Sequence, residues 1–139
     1  MPQIKQNDDG SMGVEGVGGD RGGFVCVNIE YNASSIDKVS FVAPRAFVVH
    51  AISCSPTVAG SDGSAVTAVI KKASGTTAIA SGTALHASTY NLKGTANTVQ
   101  SLTVTTADAG IAAGDRIGID FTGTMTAAVG CVTLTLAPA

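Results

Sequence analysis

No tryptophan occurs in this sequence, and two tyrosines and four phenylalanines are its whole aromatic complement across 139 residues. That scarcity excludes a broad platform for stacking bases or sugars. Charge is scarce too. Only 13% of residues are charged and the formal net charge is −2, so the basic surface that nucleic-acid binding demands is missing. No apolar run reaches the roughly eighteen residues that a membrane-spanning helix needs. Residues 1–10 are polar and lack the apolar core of a secretory signal, which makes synthesis and residence in a reducing cytoplasm the expectation.

Groups able to do chemistry are few. The three cysteines, Cys26, Cys54 and Cys131, are far apart, with neither CxxC spacing nor clustered histidines. They are expected to be buried free thiols acting as small hydrophobes, and their spacing gives a metal site with His50 no support. Only two histidines are available for proton transfer. His50 lies in an apolar strand and is expected to be a satisfied core or interface residue. His86 lies in the polar stretch 82–91 and is expected to be a solvated loop residue. Asp115 and Asp120 are five apart on a strand, so they point to opposite faces and cannot act as a pair. Asp115 follows Gly114 and is expected to close the turn into the next strand. No GxSxG, HExxH or EF-hand pattern occurs. Asn32-Ala33-Ser34 matches a glycosylation sequon that has no consequence without secretion. Lys71-Lys72 is too short for a nucleic-acid patch and reads as a strand end. No catalytic, cofactor-binding or metal-binding residue is therefore named, and the expectation is a protein that is not an enzyme.

What is present divides into an arm and a body. Residues 1–23 crowd Gly10, Gly13, Gly16, Gly18, Gly19, Gly22 and Gly23 among Asp8, Asp9, Glu15, Asp20 and Arg21. Ordering so many glycines is entropically costly, and few large apolar groups offset the cost. A flexible, extended arm is expected, ordered when it lies on a partner protein. Lys5, Asp8, Asp9, Glu15, Asp20 and Arg21 are its candidate contact residues. A phosphate-cradling loop fails on detail, because no Gly-Lys-Ser/Thr and no GxGxxG register occurs and no strand precedes the glycines.

Residues 24–139 carry short apolar runs of period two. Apolar residues are 45% of the chain, mostly Ala and Val, and abundant Thr suits a pleated surface. Residues 24–31 place Val25, Val27, Ile29 and Tyr31 on one face. Residues 38–43 turn Val39 and Phe41 inward. Residues 46–54 are apolar on both faces, the pattern of a strand in the middle of a sandwich. Pro44 and Pro56 are expected to mark its ends. Residues 64–72 offer Val66, Ala68 and Ile70, residues 76–80 a weak strand, and residues 98–105 Leu102 and Val104. Residues 115–122 offer Ile117, Ile119 and Phe121, and residues 128–136 offer Val132, Leu134 and Leu136. Residues 107–113 hold at most a helical turn, kept short by Gly110. Asp62-Gly63, Ser74-Gly75, Ser81-Gly82 and Gly114-Asp115 punctuate the runs. About eight short strands in one domain predict an all-β antiparallel β-sandwich, most simply a jelly roll. An immunoglobulin-like sandwich is the rival, but its buried Trp and Cys pair are missing.

Four segments carry a resemblance: Phe41-Val42-Ala43-Pro44-Arg45-Ala46-Phe47, Leu102-Thr103-Val104, the stretch 111–121 containing Gly114-Asp115-Arg116-Ile117-Gly118-Ile119, and the closing stretch 127–136. With the length and texture of residues 24–137, they resemble the capsid cement (decoration) proteins of tailed bacteriophages, in the jelly-roll form found on short-tailed phages. The resemblance implies a structural virion protein, made in the host bacterial cytoplasm and placed on the outer capsid surface. It implies a homodimer or homotrimer that bridges neighbouring major capsid protein subunits, with no cofactor, no direct nucleic-acid contact and no membrane. The Gly-rich arm would be its tether. Three alternatives stand beside it: a receptor- or glycan-binding module of a phage fibre or spike, a small cupin-like enzyme, and a bacterial cytoplasmic scaffold.

Overall fold

A computed structural model describes residues 4–6, 12–14, 23–35 and 37–139. Near the N-terminus, β1 (Ile4–Gln6) pairs antiparallel with β2 (Met12–Val14), with Ile4 opposite Val14. The strands that follow are β3 (Val25–Tyr31), β4 (Lys38–Val42), β5 (Phe47–Val58), β6 (Thr67–Ala73), β7 (Thr83–Ala84), β8 (Tyr90–Asn91), β9 (Gln100–Leu102), β10 (Gly110–Ile111), β11 (Arg116–Thr122) and β12 (Val129–Pro138).

These strands form two antiparallel sheets. One runs β10-β5-β12-β3, with β9 also on β5; the other runs β4-β11-β6-β7, with β8 also on β6. Counting β7 with β8, and β9 with β10, as two interrupted strands leaves eight, ordered 1-8-3-6 and 2-7-4-5. Successive strands swap sheets at every step except from β6 to β7. That interleaving of Greek keys is a jelly roll, which the periodicity predicted in class but not in strand order.

The core lies where the two inner faces meet. Ile29, Ile52, Cys54, Val132, Leu134 and Leu136 from the first sheet face Ala68, Ile70, Ile117 and Ile119 from the second and Val66 just before β6, all buried. Each set recurs at every second residue, so period-two patterning places the whole set on one face. β5 shifts register twice against β12, opposite Val129/Gly130 and opposite Thr135/Leu136, and the second shift brings His50 and Ala51 together at a bend. Gly130 is required by packing: a Cβ there would run into the Tyr31 hydroxyl and the Ser55 carbonyl.

Several expectations change. Pro56 does not end its strand; it is buried inside β5, which continues to Val58. Its carbonyl accepts from the Asn97 N–H at 2.7 Å, so its backbone faces away from β12. The N–H that proline lacks would point the same way, beyond the last pairing with β9 at Cys54–Gln100, where no ladder needs it. Residues 76–80 form no strand. A turn leads instead into a 3-10 helix, Ile79–Ser81, and Ile79 is buried. The strand expected over 98–105 is confined to Gln100–Leu102, with Val104 bridging to His86. The arm's expected flexibility, and Asp8, Asp9, Glu15, Asp20 and Arg21, lie outside the described residues; Lys5 lies on β1 opposite Gly13.

Candidate docking surface

Most charged groups of the second sheet are engaged by the fold itself. Lys71 meets Asp120 at 2.6 Å and donates to the Ala80 carbonyl at 2.6 Å. Lys72 donates to the carbonyls of Asp108 and Gly110 at 2.7 and 2.6 Å. Arg116 gathers the carbonyls of Gly75 and Thr77 at 2.9 and 2.6 Å. Each cation thus ties a loop to a strand, at positions where carbonyls would otherwise lack donors. The lysine pair sits inside β6 rather than at its end. Asp115 closes its turn as expected: its Oδ2 accepts from the Ala112 N–H at 2.9 Å, and Gly114 supplies the positive φ of 86°. Asp37 accepts from the Phe121 N–H at 2.7 Å.

His86 is not the solvated loop residue expected, and His50 is not in the core. His86 is buried, with Nε2 accepting from the Ile70 N–H at 2.9 Å and Nδ1 against the Ser88 carbonyl. Those partners require the neutral ring with its proton on Nδ1. Burial holds its pKa below the ordinary value. The flanking polar residues hid this role, which the strand edge of β6 creates. His50 is exposed, and Phe24 lies over it with ring centroids 4.7 Å apart. Cysteine burial is mixed: Cys54 is buried, Cys131 half-buried and Cys26 exposed. Burial pushes the Cys54 thiol up to about 12.

The outer face of the first sheet is where uncommitted surface collects. Across its strands, Ala137 lies beside Val48, Thr135 beside Cys26 and Ala51, Thr133 beside Asn28 and Ser53, and Cys131 beside Glu30 and Ser55. Nearly every side chain in this array is small, and Glu30 is its single charge. One corner is apolar: Phe24 is 59% exposed and Val48 41%, with His50 between sequence neighbours on β5. The pattern of residues 46–54, apolar on both faces, anticipates burial of both. Among the described residues, only the inner face of β5 is covered. Its outward positions are Val48, His50, Ala51, Ser53 and Ser55, of which Val48 and His50 are exposed.

Among the described residues, no three His, Cys, Asp or Glu side chains stand close enough to hold a metal ion. No helix among them is long and apolar enough to cross a membrane. Comparison with protein-family models, with curated proteins and with solved structures finds no match. Fold and surface together define the class as a jelly-roll β-sandwich with a nearly uncharged sheet face that nothing among the described residues covers.

Proposed function

We propose that this protein is a structural virion component that docks on the outer surface of a phage capsid and cements neighbouring major capsid protein subunits. The observation that carries this reading is the outer face of the first sheet, an array of small side chains in which Glu30 is the single charge, with an exposed apolar corner at Phe24 and Val48. Small side chains let a partner backbone approach closely and lose little rotamer entropy on docking. The apolar corner of Phe24, Val48 and His50 supplies burial, and the flat Thr and Ser rows supply hydrogen bonds. The resemblance of residues 24–137 to cement proteins points the same way.

The mechanism is mass action on a multivalent shell. A protein that binds only the assembled, expanded lattice stabilises it by its binding free energy. Contacts to two subunits at once reinforce one another through effective concentration, so a clamp across a seam resists separation even when each contact is weak. Added to expanded capsids that lack it, the protein should bind at a fixed ratio and raise the temperature of DNA release. Val48→Glu with His50→Glu, both on exposed positions, should abolish binding while the circular dichroism spectrum stays unchanged. Full binding by that variant would remove the outer face from the account.

The exposed ring of Phe24 also suits a glycan-binding module of a fibre or spike, since one aromatic face can stack on a sugar. A glycan array separates the two: retention of one sugar class by the wild type, lost in Phe24→Ala, would favour that alternative.

A further inference from the structure

The edges of the two sheets are protected unequally. On one side the long strands are flanked only by short ones: β9 and β10 on β5, β7 and β8 on β6, each two or three residues long. β4, the far edge of the second sheet, is interrupted by a register shift against β11. Short strands and bulges are the usual ways of blunting an edge. β3 has neither. It runs seven residues, pairs with β12 in unbroken register, and contains neither proline nor lysine. Among the described residues its other edge pairs with nothing.

The side chains along that edge are apolar where a core would continue. Val25 points inward yet is 42% exposed, and Val39 across the seam on β4 is 39% exposed. Val27 and Phe41 are only partly buried there. A groove of about 270 Å³, lined by Asn28, Ile29, Glu30, Val39 and Ser40, runs between the two strands.

We infer that β3 is the interface of a twofold homodimer, in which two copies pair their β3 strands antiparallel to make one continuous sheet. The strand's own pattern selects this occupant. Centred on Asn28, the pairing sets Val25 opposite the second copy's Tyr31 and Val27 opposite its Ile29 on the inner face. On the outer face it sets Cys26 opposite Glu30, and Asn28 opposite itself. Apolar meets apolar, the two Glu30 carboxylates are never opposed, and the axis carries paired amides. The Asn28 Oδ1 already accepts from Thr133 at 3.1 Å, which leaves its amide N–H groups to face the partner. A twofold interface must be self-complementary in this manner. Backbone hydrogen bonds along the edge give affinity, and the apolar seam gives register. This inference stands independently of what the outer face binds.

Because position 28 faces its own copy, charge there is self-repelling. Full-length wild type should sediment as a dimer. Asn28→Asp and Asn28→Lys, both on an exposed position, should each weaken self-association about tenfold or more. An equimolar mixture of the two should restore a dimer containing one of each. Circular dichroism spectra matching the wild type keep the comparison on association. A monomeric wild type would overturn the inference, as it would if the chain's own N-terminal residues covered β3. Charge variants that remain dimers, or a mixture that fails to recover, would overturn it equally.

Discussion

The hydroxyls of Tyr31 and Tyr90 meet at 2.6 Å in the middle of the sandwich, one from each sheet. Their rings stand edge to face with centroids 5.9 Å apart, and Tyr31 also meets Phe121 at 6.1 Å. Both tyrosines are buried, and burial raises both phenols above their ordinary pKa. The pair is a buried polar bond between the two layers. Either Tyr→Phe alone leaves one buried hydroxyl without its partner, which costs about 1–3 kcal/mol, whereas removing both leaves no orphan. The double variant should therefore lose less stability than the two single losses added together. Urea denaturation of the four proteins measures this coupling, and strict additivity would refute it.

His86 makes the fold sensitive to acid. Its buried ring accepts from the Ile70 N–H, so a proton on Nε2 would set two donors against each other. Burial lowers its folded pKa below the ordinary 6.5, so the unfolded chain takes up the proton first as the pH falls. Stability contributed by the neutral ring is present above that value and is lost as the pH drops from there toward the folded pKa. Melting temperatures from pH 7.5 to 5 should show this decline, and His86→Gln, which keeps an acceptor without titrating, should flatten it. An unchanged slope in the variant would assign the effect elsewhere.

The thiols should react in order of exposure. Cys26 is exposed and should be modified rapidly by a maleimide or disulfide reagent. Cys54 is buried, with its thiol pushed up to about 12, and should react only on unfolding. Peptide mapping after timed labelling checks this directly; early labelling of Cys54 would contradict the packing described.

Among the described residues the buried core begins at Ile29, so removal of residues 1–23 should leave a folded, soluble sandwich. If those residues tether the protein to the shell, the truncated form should bind capsids poorly. Unchanged capsid occupancy would take the segment, and Lys5, Asp8, Asp9, Glu15, Asp20 and Arg21 with it, out of the binding account.

Sequence and structure agree where burial is governed by period two. Ile117 and Ile119, or Val132, Leu134 and Leu136, announce their strands because one buried face forces the alternation. Short strands such as Thr83–Ala84 and Gly110–Ile111 hold too few residues to show any period. Pro56 misled because proline is barred only from positions whose N–H serves a ladder, and direction along a ladder is a tertiary property. The histidines misled for a related reason. A ring among polar neighbours is buried when its acceptor meets a strand-edge N–H, and a ring among apolar neighbours is exposed when no described residue covers its strand face. The candidate docking surface was half legible. Residues 46–54 signal two apolar faces, but only the sheet order shows that one of them looks outward.

Electron microscopy of a virion carrying this protein tests the central claim most directly. Density fitting one jelly roll, or a side-by-side pair, should straddle boundaries between capsomers with the β3-β12-β5 face turned toward the shell. A shell bare of such density, or the same density confined to the tail or its fibres, would contradict it.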